Sequence, residues 1–363
     1  MSGTSADGVD GAVVRLRWSG LRPSVELVAH AYRPYPDDLR ARILDVAGGR
    51  PVPTAELARL ARDLTVTHNG VAAELLRGRA GGVAVIGVHG QTIAHLPRER
   101  ATLQLVDAAG LAVLLRVPVV SDFRSADVAA GGEGAPLTPF ADHVLFADRA
   151  PCVVVNVGGI ANVTLIADDR AQHVVAFDTG PGNMVIDAVA RLAGHDRDEG
   201  GAGARRGRVV AAALDEALAH PFFARRAPKS CGREEFGADF TAGLVAKVRD
   251  RGGSLDDALA TATALTSRTI ADAIRANAPA GASWREALVG GGGAANAALM
   301  SGLAAELDPV VVRPTDDAGI PAAAREAIAF AILASYRLRG LPNTLPRVTG
   351  ASRAVCAGAL HEP

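Results

Sequence analysis

Apolar and polar positions along the chain follow two periods, and together they predict an α/β fold. Apolar residues three and four positions apart predict amphipathic helices over 54–77 and 255–274, the first through Leu57, Leu60 and Leu64. Because the early strands follow one another without long helices between them, they favour antiparallel hairpins that later join parallel strands. Short runs rich in β-branched residues predict ten strands, at 12–18, 25–32, 82–88, 102–106, 117–121, 152–157, 162–166, 173–177, 288–289 and 309–312.

A loop rich in glycine and proline, residues 122–139, separates two clusters of predicted strands and is the candidate hinge. The chain of 363 residues is long enough for two domains, since single hydrophobic cores stop growing at roughly 250 to 300 residues. We therefore expect two domains.

The amino-acid composition of the chain limits the kinds of binding partner that we expect. With 49% hydrophobic residues, 21% charged residues and a formal net charge of -1, the chain has the balance of a compact folded protein and lacks the basic character typical of nucleic-acid binding. The longest apolar stretch, 108–120, is interrupted by an arginine and is shorter than the roughly 20 residues of a membrane-spanning helix. We expect small-molecule ligands, and neither nucleic acid nor membrane as a partner.

Cysteine spacing and the opening residues indicate the compartment. Cys152, Cys231 and Cys356 are far apart and match no zinc-binding spacing, which favours a reducing compartment and predicts a cytoplasmic protein. Residues 1–11 lack the basic start and apolar run of a signal peptide. The opening stretch is therefore expected to belong to the folded protein.

Three segments combine glycine with small polar residues. The opening MSGTSADGVD leads into a strand, and 153–169 predicts a hairpin with a Gly-Gly tip between Asn156 and Asn162. Both are expected to be polar-tipped hairpins whose backbone N–H groups cradle phosphates, because glycine permits close approach to the backbone. The third segment, 288–300, joins a short strand to a helix. By itself it is also compatible with a plain connector, and it matches neither the P-loop nor the G-x-G-x-x-G pattern.

Two segments of the second half carry candidate chemistry at a strand end and in a loop. Asp178 is expected to end an apolar strand, before a tight turn and a helix that begins near Asn183. Ligands of open α/β sheets gather beyond the carboxyl ends of strands, although an aspartate there can also serve only to cap loop N–H groups. In PKSCGREEF, Lys229 and Arg233 are either anion contacts or solvated charges.

Two polar segments of the first half follow predicted strands. GVHGQTIAH contains His89, Gln91 and Thr92, and SDFRSAD contains Asp122 and Arg124. Neither segment has a helical histidine pair or a Cys/His cluster, which disfavours zinc. These side chains are better suited to hydrogen bonds with a ligand than to a zinc site.

Nine blocks of the sequence resemble, in order and roughly in spacing, the 1,6-anhydro-N-acetylmuramic acid kinases. They span nearly the whole chain: MSGTSADGVD, GVHGQTIAHLP, SDFRSADVAAGGEGAPLTP, NVGGIANVT, FDTGPGNMVID, PKSCGREEFG, GGGGAANAALM, REAIAFAILA and LPNTLPRVTGAS. These bacterial enzymes belong to the superfamily of sugar kinases, actin and heat-shock chaperone ATPases. The resemblance implies two RNase H-like, actin-like ATPase domains with a nucleotide cleft between them. It implies a first domain of 1–130 and 340–363, since the last helix returns to the first domain in this superfamily, and a second of 131–339.

The resemblance also implies the reaction. The family opens the 1,6-anhydro bridge of anhydro-N-acetylmuramate and phosphorylates O6, giving N-acetylmuramate 6-phosphate in the recycling of cell-wall sugar. ATP and Mg²⁺ are the implied cofactors, and a homodimer is the implied assembly. The γ-phosphoryl group can act as the electrophile for O6 that a carboxylic acid provides in a glycosidase, so one carboxylate base suffices for the attacking water. Asp178, in the D-T-G-P-x-N block, is the expected base.

The resemblance assigns further site residues. Arg124 is expected to pair with the lactyl carboxylate of the sugar, and Asp7 to hold Mg²⁺ near the phosphates through water. The expected sugar contacts are His89, Gln91, Thr92, Asp122, Arg124, Asn183 and Glu326. The expected ATP contacts are Gly3, Thr4, Ser5, Ala6, Asp7, Gly8, Val9, Asp10, Asn156, Gly158, Gly159, Asn162, Gly291, Gly292, Gly293 and Asn296, the last four near the adenosine.

Two alternatives stay open. A non-catalytic or disabled actin-like nucleotide-binding protein would bind ATP without needing Asp178, Gln91 or Arg124. A glycoside hydrolase acting without ATP would need a second carboxylate roughly 5 to 9.5 Å from Asp178. ATP dependence distinguishes the hydrolase from the anhydro-sugar kinase. Sugar-dependent turnover distinguishes the nucleotide-binding protein from that kinase.

The sequence departs from the family pattern in four places. Most members carry apolar residues before M-S-G-T-S, so the start either lies further upstream or the shortened first strand impairs ATP binding. Ala6 stands in place of the usual methionine and Val106 in place of a common glycine. The stretch 196–207 fits the D-G-x-x-A block only with a shift. The expected base is unaffected.

Overall fold

The computed structural model describes residues 1–3, 6–79, 82–279 and 283–363. The chain forms two compact units, one of Met1–Leu145 with Ala324–Pro363 and one of Phe146–Ala323. The helix Arg325–Leu338 and all but the last residue of the helix Thr138–Phe146 lie in the first unit, where the two helices contact each other. Their contacts include the ion pair of Asp142 with Arg325 and the edge-to-face rings of Phe140 and Tyr336.

The alternation of strands and helices confirms the predicted α/β class. The strands are β1 (Gly8–Ser19), β2 (Arg22–Pro34), β3 (Ile86–Gly87), β4 (Gln91–Leu96), β5 (Ala101–Leu105), β6 (Val119–Ser121), β7 (Cys152–Val157), β8 (Ile160–Ile166), β9 (Val175–Pro181), β10 (Glu286–Gly290), β11 (Val311–Pro314) and β12 (Ala359–His361). The helices are α1 (Asp37–Ala47), α2 (Thr54–Leu76), α3 (Ala108–Leu115), α4 (Ser125–Ala129), α5 (Thr138–Phe146), α6 (Asn183–Leu192), α7 (Ala202–Arg206), α8 (Ala211–Leu218), α9 (Arg233–Phe236), α10 (Ala238–Arg249), α11 (Leu255–Ala276), α12 (Ala297–Leu307), α13 (Arg325–Leu338) and α14 (Pro346–Thr349).

Among the residues that the structure describes, the first unit contains three small sheets. Strands β1 and β2 form a long antiparallel hairpin, β4 and β5 form a second hairpin, and a third sheet has the order β12-β6-β3. The apolar stripe of α2, through Leu60, Leu64 and Val71, packs into a core with Val9 of β1. The helical period of α2 therefore holds the β1–β2 hairpin through the burial of apolar side chains.

The second unit is built on one mixed sheet of order β11-β10-β7-β8-β9. Strands β7, β8 and β9 are antiparallel, whereas β10 runs parallel to both β7 and β11. The antiparallel β7–β8 pair is the hairpin predicted for 153–169. Val153 and Val155 of β7 pack with Ile270 of α11 in its core.

In the opening segment, which leads into β1 at Gly8, Met1 and Asp10 exchange two backbone hydrogen bonds of 2.9 and 2.7 Å. The structure corrects two expectations. Strand β9 continues past Asp178 to Pro181, because Ile160 and Ala161 of β8 pair with its last residues. Strands β4 and β12 arise where none was predicted, and in β4 the polar residues Gln91 and Thr92 pair with β5. None of the helices in the described ranges is long and apolar enough to span a membrane.

Candidate active site

A row of polar side chains crosses the central hairpins of the second unit. The strand register places Asn156 of β7 opposite Asn162 of β8, and Asn162 opposite Asp178 of β9. Directly opposed residues of neighbouring strands project from the same face of a sheet, so these three predicted site residues form one polar row. All three are half-buried, between neighbours that are largely buried. The sheet therefore presents two amides beside a carboxylate on one face.

The tip of the β7–β8 hairpin is tied to the start of α6. The carbonyl of Gly158 accepts from the Asn183 N–H at 2.8 Å, and the carbonyl of Gly159 accepts from the N–H groups of Gly182 and Met184 at 2.9 and 3.1 Å. Asn183 also donates through Nδ2 to the Val157 carbonyl at 3.1 Å. These bonds use the first amides of α6, so the helix start fixes the hairpin tip.

The close contact between the start of α6 and the hairpin tip leaves no room for a side chain at Gly182. A substitution at this position tests that requirement. A Cβ at Gly182 would lie 2.4 Å from the Gly158 carbonyl oxygen, whereas one at Gly159 would meet only Met184 Cε at 3.8 Å. We expect Gly182→Ala to lower the free energy of unfolding by about 1–3 kcal/mol, the usual cost of overpacking, and Gly159→Ala to change it by less than about 1 kcal/mol. Urea denaturation of both variants measures this. Equal effects of the two substitutions would contradict the proposed fit.

The third glycine segment lies against the same strand end. Gly291 has a left-handed backbone, φ 77°, and a Cβ there would lie 2.7 Å from the Val157 carbonyl oxygen and 3.0 Å from Asn156 Oδ1. A Cβ at Gly292 would lie 3.6 Å from Asn183 Nδ2, and one at Gly293 would overlap the Val157 side chain. The structure thus brings Gly291–Gly293, Asn156 and Asn183 together. Asn296 is largely buried and caps α12 by accepting from the Leu299 N–H at 3.1 Å.

Asp178 is held by the backbone of the PKSCG loop. Its N–H donates to the Lys229 carbonyl at 3.0 Å, and its Oδ2 accepts from the Cys231 N–H at 3.0 Å. Lys229 itself is half-buried, with Nζ 4.5 Å from the centre of the Phe222 ring. Lys229 is therefore part of the loop that positions Asp178, and Arg233 begins the short helix α9 that follows.

The environment of Asp178 favours a carboxylate that can take up a proton near neutral pH. Burial raises the pKa of Asp178 to about 6, against the opposing effect of the Cys231 N–H, while Glu235 raises it further and Lys229 lowers it. A base with a pKa near the working pH is both ionised and able to bind a proton. Burial likewise raises the pKa of the neighbouring Cys231 thiol, which disfavours a thiolate there.

In the first unit, the opening residues are bonded to the polar segment after β3. The Ser2 hydroxyl donates to Gln91 Oε1 and accepts from the Tyr35 hydroxyl, while Gln91 Nε2 donates to the Gly3 carbonyl at 3.1 Å. Gln91 is buried and so fixes the position of Gly3.

His89 and Arg124 form a buried pair in the first unit. His89 Nδ1 lies 2.8 Å from the Gly90 carbonyl, which orients Nε2 to accept from Arg124 Nε and Nη2 at 3.1 and 2.9 Å. Burial first, and Arg124 second, lower the pKa of His89 to about 3, so the imidazole is neutral. Burial lowers the pKa of Arg124 to about 10, and the guanidinium stays charged at neutral pH while it also donates to the Gly134 carbonyl at 2.7 Å.

The remaining predicted residues of the first unit are placed as follows. Asp122 has a left-handed backbone and its Oδ1 accepts from the Ser125 N–H at 3.2 Å, at the start of α4. Thr92 is paired within β4, and Glu326 stands in the first turn of α13. Thr4 and Ser5 lie outside the described residues. The other members of the opening segment, Gly3, Ala6, Asp7, Gly8, Val9 and Asp10, precede or begin β1.

Ala6 and Asp7 shape the approach to β1. Ala6 has a left-handed backbone with φ 49°, and the Asp7 carbonyl accepts from the Tyr35 N–H at 3.0 Å and the Tyr32 hydroxyl at 3.1 Å. Among the described residues, no group of three or more His, Cys, Asp or Glu side chains is arranged to hold a metal ion.

These features define a class. The chain is an α/β protein of two units, with a mixed sheet, glycine-rich turns at its strand ends and a partly buried carboxylate, a combination that suits an enzyme. The comparison with known families gives the particular member: the family model described as anhydro-N-acetylmuramic acid kinase matches residues 1–363. The chain belongs to this family.

Curated relatives that match nearly the whole chain are also described as anhydro-N-acetylmuramic acid kinases. The anhydro-N-acetylmuramic acid kinase of Gloeobacter violaceus is 42% identical over 373 residues, covering 99% of this chain and 97% of the relative. That of Bordetella pertussis is 45% identical over 371 residues, covering 99% and 94%. Among solved structures, an ADPNP-bound activator of 2-hydroxyisocaproyl-CoA dehydratase from Clostridium difficile has a TM-score of 0.43 at 11% identity, covering 89% of this chain and 94% of the activator.

Sequence reasoning missed the residues that hold Asp178 in place. The Lys229 carbonyl and the Cys231 N–H act through the backbone, where side-chain identity gives no signal. The charges of the PKSCG block suggest anion contacts. Its proline and glycine are the features of the sequence that indicate a loop of defined conformation.

Proposed function

We propose that this chain is an ATP-dependent kinase that opens the 1,6-anhydro bridge of 1,6-anhydro-N-acetylmuramate with water and phosphorylates O6. The products are N-acetylmuramate 6-phosphate and ADP. The single observation that carries the proposal is the family match over residues 1–363, since it includes the D-T-G-P-x-N block and every glycine segment described above. The alternative of a nucleotide-binding protein without catalysis is not favoured, because the family and its curated relatives are named as kinases.

In this proposal Asp178 activates the water. The carboxylate accepts one proton as the water oxygen forms a bond to the anomeric carbon, and the bond from that carbon to O6 breaks. The electron pair left on O6 attacks the γ-phosphorus, and the bond to the β-phosphate oxygen breaks, releasing ADP. The hydrogen bond from the Cys231 N–H leaves Asp178 Oδ1 to face the water, and the partial burial of the carboxylate supports its role as base.

The other predicted residues are assigned by their chemistry. The amides of Asn156, Asn162 and Asn183 and the close-approach backbone of Gly291–Gly293 suit phosphate and nucleotide contacts. The charged guanidinium of Arg124 suits the carboxylate of the sugar. Hydrogen bonds from three of its N–H groups to His89 and to the Gly134 carbonyl fix its orientation. Gln91, Thr92, Asp122 and Glu326 are the proposed further sugar contacts, and the opening segment up to Asp10 is the proposed second phosphate contact.

Magnesium would be held by Asp7 through water. The fit rests on the donor chemistry, because a single carboxylate together with phosphate oxygens is a common way of binding Mg²⁺, which keeps several of its waters. When bound, the ion neutralises charge on the phosphates. A homodimer in the cytoplasm is the proposed state, and sedimentation of the purified protein checks the dimer.

The pH dependence of turnover follows from the pKa of Asp178. That pKa is raised to about 6, so the carboxylate is ionised above this value and protonated below it. We expect kcat to be level above about pH 7 and to fall tenfold for each pH unit well below the pKa. Initial rates with saturating ATP and anhydro-sugar from pH 4.5 to 8.5 measure the profile. A kcat that stays constant down to pH 4.5 would contradict a base of this kind.

The proposal itself is tested by ADP formation with and without the anhydro-sugar. ADP formation that requires the sugar supports the proposed kinase activity. ADP formation at the same rate with and without the sugar contradicts it.

A further inference from the structure

The loop that holds Asp178 continues into α9, and two of its consecutive amides are bound by two different carboxylates. The Cys231 N–H donates to Asp178 Oδ2 at 3.0 Å. The next amide along the chain, that of Gly232, donates to Glu235 Oε2 at 3.1 Å. Because these N–H groups belong to neighbouring planar peptide units, the position of one limits the position of the other. Glu235 therefore influences the orientation of the group that binds Asp178.

The carboxylate of Glu235 is itself held at both oxygens. While Oε2 binds the Gly232 N–H, Oε1 accepts from Arg225 Nη1 at 3.0 Å. The side chain of Glu235 is 17% exposed and that of Arg225 is 51% exposed, so the inner end of this ion pair is the carboxylate. Burial acts to raise the pKa of Glu235, but the Gly232 N–H, Glu234 and Arg225 outweigh it and lower that pKa. Glu235 is therefore ionised at neutral pH.

The helix that carries Glu235 is anchored by an aromatic cluster. Phe236, the last residue of α9, is fully buried, and its ring lies 5.5 Å from the rings of both Phe222 and Phe223. Phe223 also lies against β9, since a Cβ at Gly180 would be 2.7 Å from Phe223 Cε1. The cluster thus joins α9 to the strand that carries Asp178, and it provides a fixed base from which Glu235 reaches the loop.

Charges on this loop also act on Asp178. Among the described residues of the second unit, the titratable groups that face Asp178 are Glu235, Lys229 and the Cys231 thiol. Burial raises the pKa of Asp178 to about 6, the Glu235 carboxylate raises it further, and Lys229 lowers it. Burial raises the pKa of the thiol, which is uncharged at neutral pH. From β8, the residue opposite Asp178 is Asn162, which carries no charge.

We propose that Glu235 is a positioning residue of the candidate active site. Its carboxylate fixes the Gly232 amide and thereby keeps the Cys231 N–H on Oδ2 of Asp178. Oδ1 is then left in place to accept a proton. This inference rests on the proposed function, in which Asp178 is the base, and Glu235 acts through the loop without touching the reacting atoms.

Two substitutions of Glu235 separate its position from its charge. Glu235→Ala removes the acceptor of the Gly232 N–H, whereas Glu235→Gln keeps an oxygen that can accept this bond. We expect kcat at pH 8 to fall about 10-fold in Glu235→Ala and to stay within about threefold in Glu235→Gln, with KM for ATP little changed. Displacement of a catalytic group by about 1 Å can cost up to about 10²-fold in rate, and it acts on the chemical step. A parental kcat in Glu235→Ala, or equal losses in the two variants, overturns the proposal.

The pH profile gives a readout that a loss of stability alone would not move. Glu235→Gln removes a negative charge near Asp178, which lowers the pKa of that carboxyl. The ratio of kcat at pH 5 to kcat at pH 8 should therefore be larger than in the parent. Glu216→Gln is the matched control, because Glu216 also pairs with two basic side chains, Lys247 and Arg251, but lies at the surface of α8. An equal change of the ratio in both variants overturns the assignment.

Arg225 tests the same contact from its other partner. Arg225→Met keeps an unbranched stem near the Phe222 ring, from whose centre the Arg225 Cζ is 5.4 Å distant, and removes the donor to Glu235. We expect a smaller loss of kcat than in Glu235→Ala, and no additional loss when the two substitutions are combined, because both act through one carboxylate. Losses that multiply in the double variant overturn the proposal.

Amide hydrogen exchange tests the positioning without any turnover. In the full chain, exchange of the Cys231 amide measured by NMR should be about 10-fold faster in Glu235→Ala than in the parent and parental in Glu235→Gln. The Asn183 amide, which is bonded to the Gly158 carbonyl outside this loop, is the internal reference. Absence of sugar-dependent turnover in the parent would contradict the proposed function and leave this readout intact. Unchanged exchange at Cys231 in Glu235→Ala overturns the positioning role.

Discussion

Asp178→Asn should lower kcat by about 10²–10⁴-fold, the range that a general base contributes. The amide keeps the shape of the side chain and an oxygen that can accept from the Cys231 N–H, but it cannot take the proton of the attacking water. Because the change acts on the chemical step, KM for ATP should change little. Initial-rate kinetics with saturating ATP and anhydro-sugar measure both constants.

The stability of Asp178→Asn provides its control. Burial raises the folded-state pKa of Asp178 above the ordinary value of 3.8 to about 6. Folding therefore favours the protonated form, and the ionised carboxylate costs stability as pH rises through this window. The asparagine variant should be at least as stable as the parent at pH 7.5. Asp187→Asn, the same change at a half-buried aspartate of α6, should leave kcat within about threefold. Equal losses of kcat in both variants would contradict the assignment.

Asp142→Ala should lower the free energy of unfolding by about 3–5 kcal/mol, since it removes one partner of a buried ion pair. Asp142 and Arg325 are 1% and 4% exposed in their side chains, and Arg325 Nε donates to Asp142 Oδ1 at 2.9 Å with a second, shorter bond from Nη2. The substitution leaves the buried guanidinium of Arg325 without this carboxylate. Urea denaturation followed by circular dichroism measures the loss.

A matched aspartate serves as the control for that experiment. Asp45 pairs with Arg50 at the surface, where the two side chains are 51% and 69% exposed. Exposed ion pairs contribute about 0–1 kcal/mol, so Asp45→Ala should change stability by no more than that. A loss below about 1 kcal/mol in Asp142→Ala would show that the buried pair does not hold α5 to α13.

Local patterns predicted much of the fold. The apolar period of α2 and α11, the Gly-Gly turn of the β7–β8 hairpin and the β-branched runs are short-range signals, and the structure confirms these elements. Strand β4 was missed because Gln91 and Thr92 are polar, and their pairing with β5 is decided by tertiary contacts.

The candidate site was only partly predictable. Motifs identified Asp178 and the asparagines, but their common row depends on the register of β7, β8 and β9, which includes a bulge between Ala161 and Asn162. The sequence contains no local signal for such a register. The partners of Asp178 lie about 50 residues further along the chain, and only the folded loop brings the Cys231 N–H to its carboxylate.

The measurement that tests the central claim most directly is a paired assay of the parent and Asp178→Asn, in which ADP is quantified and the sugar product is identified by mass. The account predicts one ADP per sugar 6-phosphate in the parent, no product without ATP, and strongly reduced formation of both products in Asp178→Asn. Opening of the anhydro-sugar without ATP, or ATP consumption unaffected by the sugar, would contradict it.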